Sequence, residues 1–163
     1  NVMNDRLLLA GMQSSATLIN SFFPSGQAYK GFYESSESLF DLLQFPDIWT
    51  LGYFKWELEL LETLGFGLDL EKCAVTGSTE DLKFISPKSG RAVSQSGAGE
   101  WSSKLLPFPV AILGQVNSLE DILAGLKVSQ FFLEKKVLIA FGMEHLPTAR
   151  SRFISSMERK IRK

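Results

Sequence analysis

The sequence contains few side chains that bind metals or form disulfides. Among its 163 residues there is one cysteine and one histidine. One cysteine excludes an internal disulfide framework and fits a reducing compartment. A structural zinc site needs four thiolate or imidazole ligands, more than this chain can supply. No apolar run reaches membrane-spanning length, and the start, Asn1–Arg6, is not typical of a signal peptide.

The sequence also lacks an excess of either charge. It contains 17 Lys and Arg against 18 Asp and Glu, a formal net charge of −1. A domain that binds DNA on its own usually has a basic excess, so this balance argues against strong DNA binding by the chain as a whole. With 45% hydrophobic and 21% charged residues, the composition is that of an ordinary globular protein. The length suits one domain, or one domain with a small insert.

Apolar residues at helical spacing predict several helices. Ser35 or Ser36 is expected to cap the second helix, Pro46-Asp47 to break the chain before the third, and Asn117-Ser118 to begin the fourth. Pro24–Gly26 and Gly142 are expected to end helices. The predicted helices cover residues 4–23, 37–45, 48–64 and 119–141, with a last one running from about 146 towards the C-terminus.

Between the two longest helices the pattern changes to short extended runs. Leu82–Ile85 and Arg91–Ser94 flank a Pro87–Gly90 turn, which predicts a hairpin. Gly97–Gly99 is expected to be a flexible joint, and Glu100–Leu106 a short helical turn that Pro107 stops. The predicted fold is therefore mainly α, a helical bundle with a small β-hairpin insert. The expected boundaries are 1–72 and 98–163 for the bundle and 73–97 for the insert.

Three residues have side chains that could take part in chemistry. No motif places a base beside Cys73, so a buried structural thiol is the default interpretation. His145 lies in a predicted turn between helices, which favours a surface or capping role. Glu57, with Glu59 and Glu62, is interpreted as part of a solvated helix face. No glycine-rich segment matches a nucleotide-binding loop. These patterns assign no catalytic residue, metal ligand or cofactor; the alternative is a small enzyme with an unrecognised site near Cys73, His145 or Glu57.

Two surfaces are candidates for binding partners. Basic residues cluster near the C-terminus and on the insert, although part of the C-terminal cluster can simply complement a helix dipole. At the start of the central helix, Lys55 lies beside Tyr53 and Trp56. An apolar groove with a basic edge there would suit a short acidic peptide that ends in an aromatic residue and a free carboxylate. Plain core packing of Trp56 fits the same pattern.

The sequence W-E-L-E-L-L-E-T-L-G-F-G-L-D-L-E-K-C-A-V-T-G, followed by F-I-S-P-K-S-G-R-A-V-S and K-L-L-P-F-P, resembles the RecO family of bacterial recombination and repair mediators. It is most similar to the subgroup whose cysteine motif has become C-A-V-T-G. The runs F-F-L-E-K-K-V and L-P-T-A-R-S-R-F also fit the family, whereas residues 1–45 resemble it only in general character.

The resemblance implies a non-enzymatic mediator of the RecF pathway in the bacterial cytoplasm, at the nucleoid. It implies binding to DNA, to RecR and to single-stranded DNA-binding protein (SSB), help in loading RecA, and annealing of complementary strands. Family members carry an N-terminal OB-fold that supplies the stronger DNA contacts. The absence of a methionine at Asn1 leads us to expect a fragment that begins after that domain.

The resemblance also implies site residues. The insert looks like a zinc finger that has lost its metal, because the partner position of Cys73 is Thr76 and Val93–Gly97 contains no ligand. We expect Val75, Phe84, Ile85 and Val93 to hold it together instead. The SSB acidic tail is expected to contact Phe54, Lys55, Leu58 and Leu64. Expected DNA contacts are Lys83, Lys88, Arg91, Arg150, Arg152, Arg159 and Lys160.

Overall fold

A computed structural model describes residues 5–23, 30–114 and 118–163. It confirms the predicted fold class: helices form most of the protein, and a small antiparallel sheet lies between the third and fifth helices. Within the described ranges, no helix combines the length and apolarity needed to cross a membrane. The helices and strands are α1 (Arg6–Phe22), α2 (Lys30–Asp41), α3 (Pro46–Thr63), β1 (Leu82–Ile85), β2 (Ala92–Ser94), α4 (Gln95–Ala98), β3 (Leu106–Pro107), α5 (Leu119–Phe132), α6 (Leu138–Phe141) and α7 (Thr148–Arg162).

The first two helices begin differently. Asp5 caps α1, since its carboxylate accepts the amides of Leu7 and Leu8 at 3.0 and 3.2 Å. The expected stop of α1 at Pro24–Gly26 lies outside the described residues. Helix α2 begins seven residues before the expected Glu37, so neither Ser35 nor Ser36 caps it. Ser36 lies inside the helix and donates to the Phe32 carbonyl at 2.9 Å, a bond available to a serine in mid-helix.

Helix α3 lies at the centre of the bundle and packs against α1, α2 and α5. Pro46 stands in its first turn, where the missing amide proton is not needed, so Pro46 begins the helix rather than breaking the chain. Apolar side chains surround α3 on several sides, as expected for a helix inside a core. Its fully buried residues include Trp49, Tyr53, Phe54, Leu60 and Leu61.

The sheet has the strand order β2-β1-β3. The predicted hairpin is confirmed by the pairing of Ile85 with Ala92, while the strand Leu106–Pro107 was not predicted. The expected helical turn ends at Lys104 as a 3₁₀ segment, and β3 follows. A proline is tolerated there because β3 is an edge strand. Ile85 and Ala92 belong to the bundle's core, so the sheet packs directly against the helices.

The expected flexible joint at Gly97–Gly99 is instead structured. Residues Gln95–Ala98 form α4, and the Ser94 hydroxyl caps it by accepting the Gly97 amide at 3.0 Å. Ala98 is buried beside Cys73 and Val93 in a second, smaller apolar cluster. The prediction of a joint was wrong because it considered the glycines and not the serine before them.

The predicted helix over 119–141 is confirmed as one continuous segment, with a π-helical turn at Leu133–Val137 between α5 and α6. Ser118 caps it by accepting the Asp121 amide at 3.1 Å, while Asn117 lies outside the described residues. Gly142 ends it with φ 65°, in the left-handed region that glycine adopts readily. Helix α7 then runs back along α1.

Candidate partner-peptide and nucleic-acid surfaces

The four residues expected to contact a peptide differ in exposure. Phe54 is fully buried, and its ring packs so closely on α5 that a Cβ at Gly125 would lie 2.7 Å from it. Phe54 therefore packs in the core between α3 and α5. This corrects the expectation that it lines an open groove. Lys55 is exposed, and Leu58 and Leu64 are half-buried against the core. Only these three present part of their surface to solvent.

Lys55 lies at a cleft of about 490 Å³ between α2 and α3. Leu39, Leu42 and Gly52 form part of its apolar lining. Two carboxylates, Glu34 from α2 and Glu59 from α3, also line it. The basic edge expected here is thus a single lysine between two acidic side chains.

Trp56 contributes only an edge to this cleft. It is 3% exposed, its ring stacks on Phe32 with centroids 5.5 Å apart, and its N–H donates to Ser36 Oγ at 2.9 Å. Core packing therefore accounts for most of this side chain.

A buried ion pair joins α3 to α7. Arg150 Nη2 lies 2.6 Å from Glu57 Oε1, and Arg150 Nε lies 3.1 Å from Glu57 Oε2, a bidentate arrangement. Glu57 is 0% exposed and Arg150 is 2% exposed. Two interpretations are corrected by this burial: Glu57 is not on a solvated helix face, and Arg150 does not reach a surface where it could contact DNA.

Other polar groups form hydrogen bonds with both members of this ion pair. Tyr53 Oη and Ser129 Oγ donate to the Glu57 carboxylate at 2.8 and 2.6 Å, and the Arg150 guanidinium donates to the Leu126 carbonyl at 2.9 Å. Tyr53 also shares a 2.7 Å hydrogen bond with Ser14 of α1. The network therefore links α1, α3, α5 and α7 through groups that are all satisfied.

Burial also influences the protonation states of Tyr53 and Arg150 in this network. It raises the pKa of Tyr53 well above its usual value, and the Glu57 carboxylate adds to the rise. Burial would lower the pKa of Arg150, but the Glu57 carboxylate overcomes this and raises it. The tyrosine thus stays a neutral donor and the arginine a cation, which suits a structural role.

Cys73 lies in the small cluster, where its sulfur accepts several hydrogen bonds. The amides of Val75 and Thr76 lie 3.4 Å from Sγ, and the Ser94 amide and hydroxyl lie 3.2 and 3.3 Å from it. These donors come from the two segments that would form the knuckles of a zinc finger. These hydrogen bonds satisfy the sulfur from within the insert.

Apolar packing of the insert differs from the expectation at two of its residues. Val93 is buried beside Cys73, and Phe84 packs against the same small cluster. Val75, however, is 68% exposed, and Ile85 packs into the bundle's core instead. Within the described ranges, no group of three or more His, Cys, Asp or Glu could hold a metal ion.

The surroundings of Cys73 predict an ionised thiol near neutral pH. Burial alone would raise the pKa of the thiol, but hydrogen bonds from Ser94 and Thr76 outweigh it and lower the pKa to about 6. An unfolded thiol titrates near about 8.5. Thiolate stabilisation is therefore fully present above about pH 8.5, declines as the pH falls, and is lost below about 6.

Absorbance at 240 nm and urea unfolding at several pH values test this prediction. We expect a thiolate midpoint near 6 in the folded protein, and a stability gain from pH 6 to 8.5 that Cys73→Ser removes. A thiolate midpoint at 8 or above, or an identical pH dependence in the two proteins, would contradict it.

The residues weighed for catalysis lie in separate surroundings. His145 is at the surface, with its Nε2 3.9 Å from Glu144 Oε2. Cys73 is surrounded by amides and the Ser94 hydroxyl, and Glu57 is engaged by Arg150. In the part of the chain that the structure describes, no hydrogen bond or ion pair joins any two of Cys73, His145 and Glu57. No nucleophile–base pair is assembled from them.

The remaining basic residues stay at the surface. Lys83 and Lys88 are exposed on or beside the hairpin, with Lys83 Nζ 3.8 Å from Asp81, and Arg91 is half-buried. On α7, Arg152 and Arg159 are exposed and seven residues apart, so they share one face of the helix. Lys160 is exposed beside Arg159. The candidates thus form two groups on different elements of the fold.

Comparison with known proteins bears on what these surfaces do. A family model described as "Recombination protein O C terminal" matches residues 3–142. DNA repair protein RecO from Ruegeria sp. (strain TM1040) is 45% identical over 161 residues, 98% of this chain and 66% of that protein. The protein of the same name from Jannaschia sp. (strain CCS1) is 44% identical over 160 residues, 98% of this chain and 65% of its own length.

The chain spans just under two thirds of the length of these curated relatives. No solved structure matches it. The family model matches most of the chain, and the relatives match nearly all of it, at their C-terminal part. The resemblance seen in the motifs is therefore confirmed, and the chain belongs to the RecO family.

Proposed function

We propose that this chain is the C-terminal part of a DNA repair and recombination mediator that works without catalysing a reaction. Its proposed partners are DNA, RecR and SSB, and its proposed role is to help RecA load onto SSB-covered strands and to promote annealing in the RecF pathway of the bacterial cytoplasm. The observation that carries the proposal is 45% identity to a DNA repair protein RecO across 98% of the chain.

Within the chain, we propose that residues 1–72 and 98–163 form the partner-binding bundle and that 73–97 is an insert without metal. The hydrogen bonds of Cys73 support the absence of a metal role, because they satisfy the sulfur without one. Ile85 and Ala92 pack into the bundle's core, which supports an insert that is held rigidly on the helices.

For the SSB acidic tail we propose the α2/α3 cleft beside Lys55. An acidic peptide that ends in an aromatic residue needs an apolar pocket and a cation, and this cleft offers Leu39, Leu42 and Lys55. Leu58 on α3 and Leu64 just after it remain proposed contacts of the same peptide outside this cleft, since neither lines it. Because Glu34 and Glu59 also line the cleft, Lys55 is the cation on which an acidic ligand there depends.

A fluorescence titration with a labelled acidic peptide of this type tests the site. We expect saturable binding that weakens as salt is raised and that falls about tenfold in Lys55→Glu, because that change removes the cation and adds a third carboxylate. Glu34→Gln is expected to strengthen binding, since it removes a repelling charge. Lys127→Glu, at an exposed position of α5, makes the same change of net charge away from the cleft and is expected to bind like the unmodified chain.

The outcomes separate the site from the function. If binding is equally weak in Lys55→Glu and Lys127→Glu, the loss reflects the change in net charge. The peptide would then bind to another surface. No binding at low salt, by a chain shown to be folded by circular dichroism, counts against SSB-tail docking by this chain.

A further inference from the structure

A second cleft, of about 600 Å³, lies where the beginning of α1 meets the end of α7. Arg6 lines it from α1, and Arg159, Lys160 and Lys163 line it from α7 and the residue that follows. All four side chains are exposed. The sequence brings the two ends of the chain's helices together here because α1 and α7 pack along each other.

Positive charge predominates in this cleft, because four cationic side chains line it against one carboxylate side chain. Among the residues that the structure describes, none of these four cations takes part in an ion pair. Asp5, the one carboxylate lining the cleft, accepts two amides at the start of α1. Arg159 has a single side-chain bond, from Nη2 to Ser156 Oγ at 3.1 Å.

Concentrating these cations costs stability. Arg159 and Lys163 are four residues apart and Lys160 and Lys163 are three apart, spacings at which like charges repel. The negative end of the α7 dipole offsets part of that repulsion. Arg6, however, stands in the first turn of α1, where the dipole disfavours a cation. An anion that binds in the cleft would offset the repulsion among these cations.

We propose that this α1/α7 cleft binds the phosphate backbone of nucleic acid, with Arg6 and Lys163 joining Arg159 and Lys160 as the contacts. The proposal rests on the proposed DNA-binding function and gives it a location. The lining has no exposed aromatic side chain, and its one apolar residue, Leu7, is 6% exposed. The cleft therefore suits phosphates, which need cations, and it offers no aromatic ring on which bases could stack.

The test is fluorescence anisotropy of a labelled oligo(dT), and of a labelled duplex, titrated with the folded chain across a range of salt. In Arg6→Gln/Lys163→Gln we expect binding about tenfold weaker at low salt. The slope of log K against log salt is expected to fall by about 1.4 for the single strand and about 1.8 for the duplex, since two phosphate contacts are lost. Lys127→Gln/Lys135→Gln removes the same charge from exposed positions elsewhere and is expected to change neither quantity.

Each other result overturns the proposal in a recognisable way. Unchanged binding and slope in the cleft variant, with a stable fold by thermal unfolding, places the DNA contacts elsewhere and leaves the proposed function standing. An equal loss in the control pair shows a general charge effect. If the acidic peptide, and not the oligonucleotide, loses binding in the cleft variant, the cleft belongs to the peptide. If the unmodified chain binds neither single strand nor duplex at low salt, the cleft and the chain's DNA contacts fail together, while the peptide titration still decides the SSB contact.

Discussion

Replacing Arg150 with methionine is expected to lower the free energy of unfolding by about 3–5 kcal/mol, because it leaves the Glu57 carboxylate buried without its cation. Glu57 would keep its bonds from Tyr53 and Ser129, which are too few to replace a bidentate arginine. For a chain of this size the loss corresponds to a midpoint of thermal unfolding that is roughly 10 °C lower. Urea unfolding followed by circular dichroism measures it.

A double-mutant cycle separates the ion pair from simple loss of packing. Adding Glu57→Gln to Arg150→Met removes the unpaired charge, so the double variant should be more stable than Arg150→Met alone. Arg152→Met changes an exposed arginine on the same helix and is expected to stay within about 0.5 kcal/mol of the unmodified protein. Similar losses in Arg150→Met and Arg152→Met would show that the buried pair does not hold the helices together.

Gly11→Ala is expected to destabilise the protein by about 1–3 kcal/mol, through overpacking at the point where α1, α3 and α7 meet. A Cβ at this position would overlap the Trp49 ring and lie 3.1 Å from the Phe153 ring. Trp49 cannot easily move aside, because it is fully buried and its N–H donates to the Leu39 carbonyl at 2.8 Å. The steric cost should exceed the gain in helix propensity of about 1 kcal/mol.

Gly31→Ala provides the matched control. Gly31 is also helical, and a Cβ there would meet nothing within 4 Å. Only the propensity term remains, so this change should leave stability unaltered or raise it by up to about 1 kcal/mol. Chemical denaturation of the two variants in parallel gives the comparison, and equal or greater stability of Gly11→Ala would show that α1 does not approach Trp49 so closely.

Local signals predicted much of this fold because they act over a few residues. The periodicity of α3, the Ser118 cap and the Gly142 stop each depend on neighbours within one or two turns, and the structure confirms them. Ser36 is not a cap because α2 begins at Lys30, which places Ser36 in mid-helix, and there the packing of α3 lets its hydroxyl accept the Trp56 N–H.

The buried ion pair could not be predicted by local reasoning. Glu57 and Arg150 are 93 residues apart, and each has the charge of an ordinary surface residue. One signal was present: Tyr53, Glu57 and Leu60 follow helical spacing along a buried stripe, which places the carboxylate among apolar residues. Arg150 carried the same signal, because it lies three, four and seven residues before Phe153, Ile154 and Met157 on the buried face of α7. The sequence did not predict the α1/α7 cleft, because Arg6 and Arg159 line a common cleft only when α1 and α7 pack together.

The most direct test of the proposed function is the titration of the folded chain with the acidic peptide that ends in an aromatic residue and a free carboxylate. We predict saturable binding that salt weakens, that Lys55→Glu reduces about tenfold and that Lys127→Glu leaves unchanged. Absence of binding at low salt would contradict the proposed docking of the SSB tail on this chain, whereas the proposed DNA contacts would still be decided by the oligonucleotide titration.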